Sequence, residues 1–221
     1  MNLIDVIGPV MVGPSSSHTA GAVRLGHLAA GILGGMPVWA EIFLHGSFAE
    51  TYKGHGTDVA LLAGLMGWLP DDLRIPEADM YAAKNGMQYA FKKTDLGNRT
   101  HPNTVLFKLT GASGRYTEIV GSSVGGGQVV VTAIDGFPVE LTGRLPAVLT
   151  VHIDTKGVIA DVSSILSEGG VNIATMRLFR RDKGGIASMV FECDDNVGDG
   201  ILQQIARLQA VQTVQFIPRI L

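Results

Sequence analysis

The hydrophobic pattern between residues 147 and 217 constrains the fold more than any other feature of this 221-residue chain. Its period switches between two, the spacing of a strand, and about 3.6, the spacing of a helix. The predicted order is strand, helix, strand, strand, helix, strand, over Ala147–Ile153, Val158–Leu166, Val171–Arg180, Ile186–Glu192, Gly200–Leu208 and Val211–Ile217. This βαββαβ order predicts a ferredoxin-like sandwich, in which two helices cover one face of an antiparallel sheet.

The turns of this segment resemble those of an ACT domain, a small amino-acid-sensing module of many metabolic enzymes. The resemblance is carried by Asp154-Thr155-Lys156-Gly157, with Lys156 where the family usually has proline, and by Gly170-Val171-Asn172-Ile173. It implies self-association through this domain and an effector site that includes Asp154, Gly157, Asn172 and Ile173. From the residues alone, Asp154 serves equally well as a helix cap and Asn172 as a turn residue.

A turn-rich stretch separates this segment from the first part of the chain. Asp135-Gly136-Phe137-Pro138 and Thr142-Gly143-Arg144-Leu145-Pro146 are both typical of turns. We therefore expect an α+β protein with two domains, at residues 1–143 and 147–221. Since 46% of the residues are hydrophobic, each domain can bury a core of its own.

Composition narrows the set of partners. Charged residues make up 17% of the chain and the net charge is −3, so neither nucleic acid nor an anionic membrane surface is expected. The first five residues lack the basic region of a signal peptide, and glycine or proline interrupts each apolar run, which predicts a cytoplasmic protein. The single cysteine, Cys193, excludes an internal disulfide and cannot supply the several thiolates of an iron–sulfur cluster.

The first polar motif of the N-terminal part is Ser15-Ser16-Ser17-His18-Thr19, which precedes an apolar segment at 21–32 that is predicted as a helix. Serine is a preferred helix cap, and the free N–H groups of a helix N-terminus suit a carboxylate or a phosphate. The motif is therefore either an anion site or a serine-rich cap with His18 at the surface.

The second motif, Lys53-Gly54-His55-Gly56-Thr57-Asp58, comes after a predicted strand at 38–44 and the string His45-Gly46-Ser47. Two glycines flank His55 and expose its imidazole, whose usual pKa of about 6.5 suits a general acid or base. Thr57 or Asp58 caps the helix that follows, and capping is compatible with a role in chemistry.

Two more polar motifs precede predicted strands at 105–109 and 128–134. They are His101-Pro102-Asn103-Thr104 and Ser122-Ser123-Val124-Gly125-Gly126-Gly127. Glycines such as Gly125 and Gly126 permit the close approach of a ligand, but they also form ordinary hairpin turns.

In this order, the four motifs resemble the beta chain of bacterial iron–sulfur L-serine dehydratase, and the strings GPSSSHT and KGHGTD are specific to that group. The resemblance extends over essentially the whole chain. It implies that the first domain is of the allosteric-substrate-binding type, a fold shared with some phosphoglycerate dehydrogenases. It also implies conversion of L-serine to pyruvate and ammonia, with a 4Fe-4S cluster on a cysteine-rich alpha subunit and no cofactor on this chain alone.

The resemblance also assigns roles to individual residues. His55 is the candidate catalytic base, and His18 accompanies it in the catalytic site. The residues expected to bind substrate or effector are Ser15, Ser16, Ser17, Thr19, Thr57, Asp58, His101, Asn103, Gly125 and Gly126. Whether these residues line the catalytic pocket or a separate regulatory pocket stays open.

Three other interpretations compete with this one. A stand-alone amino-acid sensor would bind an effector and take no part in catalysis. A hydrolase built on Ser17 and His18 is disfavoured, because adjacent residues rarely point together and no G-x-S-x-G elbow is present. A metal site formed by His18, His45, His55 and His101 lacks the His-x-x-x-His or Cys-x-x-Cys spacing that would support it.

Overall fold

The structure, a computed structural model, describes residues 10–220, so the five residues that argued against a signal peptide lie outside it. The chain forms two compact units, Met1–Asp135 and Gly136–Leu221. Both units combine helices and strands, which confirms the predicted α+β class.

The first unit contains one sheet and a layer of helices. Its helical elements are a π-helical turn at Ser16–Ala20, α1 (Gly21–Leu33), α2 (Gly46–Thr51), α3 (Thr57–Leu65), a 3-10 turn at Ile75–Glu77 and α4 (Ala78–Lys84). Its strands are β1 (Pro37–Leu44), β2 (Gln88–Lys93), β3 (Thr104–Gly111), β4 (Tyr116–Gly125) and β5 (Gln128–Ile134).

These five strands follow the order β2-β1-β3-β4-β5. The β1–β2 pair is parallel, and the β1–β3, β3–β4 and β4–β5 pairs are antiparallel. Helices α1 and α3 pack closely, since Gly26 lies against the backbone of Leu61 and Gly64 against that of Val23. Buried side chains of α1, such as Leu25, fill the space between this helix pair and the sheet.

The second unit contains the segment with the alternating hydrophobic period. Its elements are β6 (Phe137–Leu141), β7 (Ala147–Ile153), α5 (Val158–Glu168), β8 (Ile173–Arg180), β9 (Ile186–Cys193), α6 (Asp199–Ala206) and β10 (Val211–Ile217). The strand β6, which the sequence analysis placed in the first domain, belongs to this compact unit. Strands β7 to β10 form an antiparallel sheet in the order β10-β7-β9-β8.

This order is that of the predicted ferredoxin-like sandwich. Val148 of β7, Phe191 of β9, Val162 of α5 and Ile205 of α6 share one apolar core. The strand predicted from Val171 begins only at Ile173, because the helix ends in a turn in which the Val171 N–H donates to the Leu166 carbonyl oxygen at 2.9 Å.

Candidate active site

The first sheet brings three of the polar motifs to one of its ends. Leu44, the last residue of β1, pairs with Val105, and Thr104 at the start of β3 pairs with Ser122 of β4. The Thr104 and Ser122 hydroxyl groups lie 2.7 Å apart and are buried. Three segments therefore meet at this end of the sheet: the loop at 101–103, the start of α2, which follows β1, and the end of β4.

The π-helical turn before α1 carries the serine motif to this edge. Ser15 caps the turn, since its Oγ accepts a hydrogen bond from the His18 backbone N–H at 3.1 Å. From β4, the Ser123 hydroxyl donates to the Ser17 carbonyl oxygen at 2.9 Å. A Cβ atom at Gly21 would lie 2.0 Å from the Ser123 Oγ, so glycine is required for β4 to approach the turn this closely.

Neighbouring side chains fix the His18 ring. Its Nε2 lies 3.1 Å from the Ser47 Oγ on α2, and its Nδ1 lies 3.4 Å from the Ser15 Oγ. The ring meets Phe48 edge-on at 5.1 Å and lies 4.8 Å from the His55 ring, measured between centroids. Burial, and to a smaller extent the imidazole of His55, lowers the pKa of His18. The neutral form of His18 is therefore favoured at neutral pH.

His55 lies in the turn between α2 and α3. The Thr19 hydroxyl donates to the His55 carbonyl oxygen at 3.4 Å, which joins the first two motifs. The His55 Nδ1 is buried and has no hydrogen-bond partner within residues 10–220. The same is true of the Thr57 hydroxyl, whose side chain is fully buried. Among the described residues, the turn with His55 and the start of α3 thus leave two buried polar atoms unpaired.

Asp58 serves the start of α3. Its Oδ1 accepts a hydrogen bond from the Val59 N–H at 3.0 Å, in the first turn of the helix, where a negative charge is favourable. The N-cap of α3 is Gly56 and no side chain caps the helix, so the predicted cap by Thr57 or Asp58 is not found.

The third motif contributes a third unpaired atom and an exposed histidine. His101 is exposed, and its Nδ1 accepts a hydrogen bond from the Asn103 backbone N–H at 3.1 Å. The Asn103 side-chain oxygen is buried without a partner in the described part of the chain. The Asn103 carbonyl oxygen accepts the Ser123 N–H at 3.0 Å, so the motif is joined to the end of β4.

The glycines of the fourth motif form the hairpin between β4 and β5. Gly125, Gly126 and Gly127 have φ angles of +109°, +59° and +74°, a region that favours glycine. Arg24 of α1 donates to the Gly127 carbonyl oxygen at 2.7 Å. Turn geometry alone therefore accounts for these glycines.

Ser47 is the contact residue that the sequence analysis did not assign. It follows a strand and opens a helix, as the other motifs do, and this position is a signal that could have identified it. Gly46 before it has a φ of +58° and packs so closely that a Cβ atom would lie 2.6 Å from the Pro102 carbonyl oxygen. The role of Ser123 could not be predicted, because its contact with Ser17 depends on the register of β4.

The geometry also bears on the hydrolase and metal interpretations. Within residues 10–220, the His18 ring is hydrogen-bonded to the side chains of Ser15 and Ser47 rather than to Ser17. The Ser17 carbonyl oxygen accepts the Ser123 hydroxyl, so the Ser17–His18 pair of the hydrolase interpretation is not formed. Among residues 10–220, no three histidine, cysteine, aspartate or glutamate side chains are grouped so as to hold a metal ion. No helix in that range is long and apolar enough to cross a membrane.

The residues of this chain do not fit an iron–sulfur cluster. Cys193 is fully buried in the core of the second unit, where burial raises the pKa of its thiol to about 11. A cluster needs several accessible thiolates, and the sequence contains this one cysteine only.

The four predicted effector residues of the second unit do not come together. Asp154 and Gly157 precede α5, whereas Asn172 and Ile173 follow it. A cavity of about 480 Å³ lies at the latter end, lined by α5 serines with Asn172 and Ile173.

Both polar residues of that set have partners in the same unit. The Asp154 carboxylate accepts hydrogen bonds from the Gly184 N–H at 3.0 Å and from Arg180 at 2.8 Å. These contacts, that of Gly184 first, lower the pKa of Asp154. The Asn172 amide donates to the Asp194 carboxylate.

Comparison with known families identifies the family of this chain. A model of the serine dehydratase beta chain family matches residues 4–133, which is more than half of the chain. The chain belongs to the serine dehydratase beta chain family. A model of the ACT domain matches residues 147–210, so this member of the family carries an ACT domain after the beta-chain segment. The predicted family and the predicted ACT domain are both confirmed.

Two relatives are similar over nearly their whole length. The probable L-serine dehydratase beta chain of Bacillus subtilis (strain 168) is 42% identical over 94% of this chain and 93% of its own length. The L-serine dehydratase beta chain of Peptoniphilus asaccharolyticus is 36% identical over 96% of both chains. A D-3-phosphoglycerate dehydrogenase of Synechocystis is 28% identical over 86% of this chain and 34% of its own length.

Proposed function

We propose that this chain is the beta subunit of an enzyme that converts L-serine to pyruvate and ammonia, together with a cysteine-rich alpha subunit that holds a 4Fe-4S cluster. The names of its two full-length relatives support the reaction. The single buried cysteine supports a cluster on another chain. We further propose that the complex works in the cytoplasm and that the ACT domain mediates self-association.

The observation that carries the proposal is the pairing of His18 with His55 among hydroxyl groups at one end of the sheet. Three polar atoms of the motifs, on His55, Thr57 and Asn103, are buried without a partner in the described residues. An unpaired buried polar atom costs about 1–3 kcal/mol. A bound substrate that pairs with these atoms would offset that cost.

The elimination requires removal of the α-proton of serine, and we assign this step to His55. His18 has both ring nitrogens next to serine hydroxyls, whereas His55 has no side-chain hydrogen bond to its buried nitrogen. The Nδ1 of His55 is thus not occupied by a partner among the described residues and is available to accept a proton. The cluster of the alpha subunit would act as a Lewis acid on the substrate hydroxyl group.

We assign the substrate carboxylate to the serine turn. Ser15 caps a helix that runs from the π-helical turn into α1, and the first N–H groups of such a helix lack partners within it. These N–H groups and the positive end of the helix dipole favour an anion. The Ser16, Ser17 and Thr19 positions follow the cap directly. His101, at the exposed side of the cluster, would lie at the entrance.

The test is a pyruvate-release assay under anaerobic conditions, with the chain co-expressed with its alpha subunit. The His55→Ala complex is expected to lose at least about 100-fold in kcat, the contribution of a positioned general base. His27→Gln, which changes a half-buried histidine of α1 outside the site, is the matched control and should retain turnover. A His55→Ala complex with normal turnover would exclude the base role.

A second candidate function is that of a stand-alone amino-acid sensor. The cavity of about 480 Å³ beside Asn172 favours it, since its serine and asparagine side chains suit a small polar ligand. We propose that this cavity is the part of the ACT domain that responds to an effector. Calorimetric binding of serine to the isolated chain, combined with unchanged pyruvate release when the chain is omitted, would favour the sensor over the subunit.

A further inference from the structure

The Ser47 hydroxyl has one side-chain partner among residues 10–220, the His18 ring. We propose that Ser47 is a further substrate-binding residue, whose hydroxyl group is oriented by His18 and donates to the carboxylate of the amino-acid substrate. The inference rests on the proposed function, and it adds a contact from α2 to those of the serine turn.

The direction of the hydrogen bonds around His18 is the first step. The Ser15 Oγ accepts the His18 backbone N–H at 3.1 Å, so its own proton is free for the His18 Nδ1 at 3.4 Å. A neutral imidazole carries one N–H group, and with Nδ1 as acceptor that group is at Nε2. We assign this tautomer to His18, in which the Nε2–H donates to the Ser47 Oγ at 3.1 Å.

The second step is that, in the assigned direction, the proton of Ser47 has no acceptor among residues 10–220. Within residues 10–220, His18 Nε2 is the side-chain partner of the Ser47 hydroxyl, and in this direction it fills an acceptor position of the oxygen. The Ser47 carbonyl oxygen is occupied separately by the Thr51 hydroxyl at 2.8 Å. The remaining O–H bond of Ser47 is therefore available to a ligand.

The third step is the rigidity and location of this donor. Phe48, the next residue, is fully buried and packs on the His18 ring, and Gly46 packs directly on Pro102. The donor thus stands beside the paired imidazoles on a fixed backbone. The O–H group left to donate bonds most strongly to an anionic oxygen, and serine has one acidic group, its carboxylate.

Steady-state kinetics of the anaerobic complex with its alpha subunit tests the inference. Ser47→Ala is expected to raise the KM for L-serine about 10-fold to 100-fold, the effect of one hydrogen bond to a charged group, with kcat changed less than about threefold. Ser47→Thr keeps the hydroxyl and should restore most of the affinity. Ser113→Ala, in the exposed turn between β3 and β4, is the matched control with unchanged KM.

A spectroscopic readout on the isolated full chain checks the orientation of His18. With ¹⁵N-labelled histidine, the wild-type ring is expected to show a single Nε2–H tautomer, and Ser47→Ala a mixture of the two tautomers. An unchanged KM in Ser47→Ala, while His55→Ala is inactive, would overturn the role of Ser47 and leave the proposed function intact. An active His55→Ala complex would count against the proposed base, whatever Ser47 does.

Discussion

His152 shows how a single residue can make stability depend on pH. It lies on β7 between Ala187 of β9 and Val211 of β10, it is fully buried, and both of its ring nitrogens lack a partner in the described chain. Burial lowers the pKa of His152, and the opposing charge of Asp154 is the smaller effect. The folded protein therefore holds this ring in its neutral form.

The sign of the pH effect follows from this environment. The unfolded chain binds a proton at His152 near the ordinary pKa of 6.5, whereas the folded chain does so only at lower pH. Above pH 6.5, the ring of His152 is neutral in both states and does not lower the free energy of unfolding. As the pH falls below 6.5, the unfolded chain binds the proton first and the free energy of unfolding decreases. His18 and His27, whose pKa values burial also lowers, act in the same direction.

We predict that His152→Leu removes part of this dependence. Urea unfolding at pH 7.5 and at pH 5.5 measures the free energy of unfolding of both proteins. Relative to the wild type, the variant should be about 1 kcal/mol more stable at pH 5.5 than at pH 7.5. Thr150→Val replaces an unpaired buried hydroxyl of the same strand that does not titrate, and its effect should be equal at both pH values. A constant difference for His152→Leu would contradict the prediction.

At the residue scale, the sequence predicted site residues where a reactive residue type stands in a recognisable motif. The histidines at 18 and 55 stand in recognisable strings, and the structure brings their rings to 4.8 Å. Ser123 lacks such a signal, because its contact joins residues 106 positions apart and depends on the completed sheet. Ser47 has only the signal of its position after a strand, and its contact with His18, 29 positions away, forms in the folded chain.

The pair of helices α1 and α3 determines the geometry of the site at the scale of elements. The serine turn leads into α1, and His55 precedes α3, so the separation of the two helices sets the separation of the two imidazoles. The helices touch through glycines: a Cβ atom at Gly64 would lie 2.0 Å from the Val23 carbonyl oxygen, and one at Gly26 would lie 2.4 Å from that of Leu61.

We predict that Gly64→Ala destabilises the chain by about 1–3 kcal/mol, because the added methyl group meets backbone atoms that cannot move independently. Urea unfolding measures the change. The matched control is Gly200→Ala in α6, where the methyl group would meet open space and should be neutral or slightly stabilising. Equal stabilities of Gly64→Ala and the wild type would contradict the close approach of the helices.

The two halves of the chain differed in how well their elements could be predicted. The βαββαβ segment has long apolar periods, and all six of its elements are found. In the first half, α2 has six residues, and β2, with the sequence QYAFKK, is half polar. Both escaped prediction, since tertiary contacts rather than local propensity stabilise them.

For the whole molecule, the buried thiol separates this chain from the redox chemistry of its proposed complex. Cys193 lies in the shared core of α5, α6 and the sheet of the second unit, and its raised pKa disfavours the thiolate form. A thiol in this state neither ligates iron nor reacts readily.

We predict that Cys193→Ala leaves the iron and sulfide content of the complex with the alpha subunit unchanged, as measured by chemical analysis and by the visible absorbance of the cluster. In the wild-type chain, Cys193 should react with a thiol reagent only after unfolding. Loss of iron in the Cys193→Ala complex, with the chain still folded by circular dichroism, would show that this chain contributes a ligand.

The hydrogen bond from Ser123 to the serine turn has a consequence for biosynthesis. The turn lies near the start of the chain, but the residue that anchors it lies beyond the midpoint of the 221 residues. On the ribosome, the first motif emerges long before β4, and domains fold as units during synthesis. The nascent chain therefore cannot anchor the serine turn through this hydrogen bond until Ser123 has left the exit tunnel.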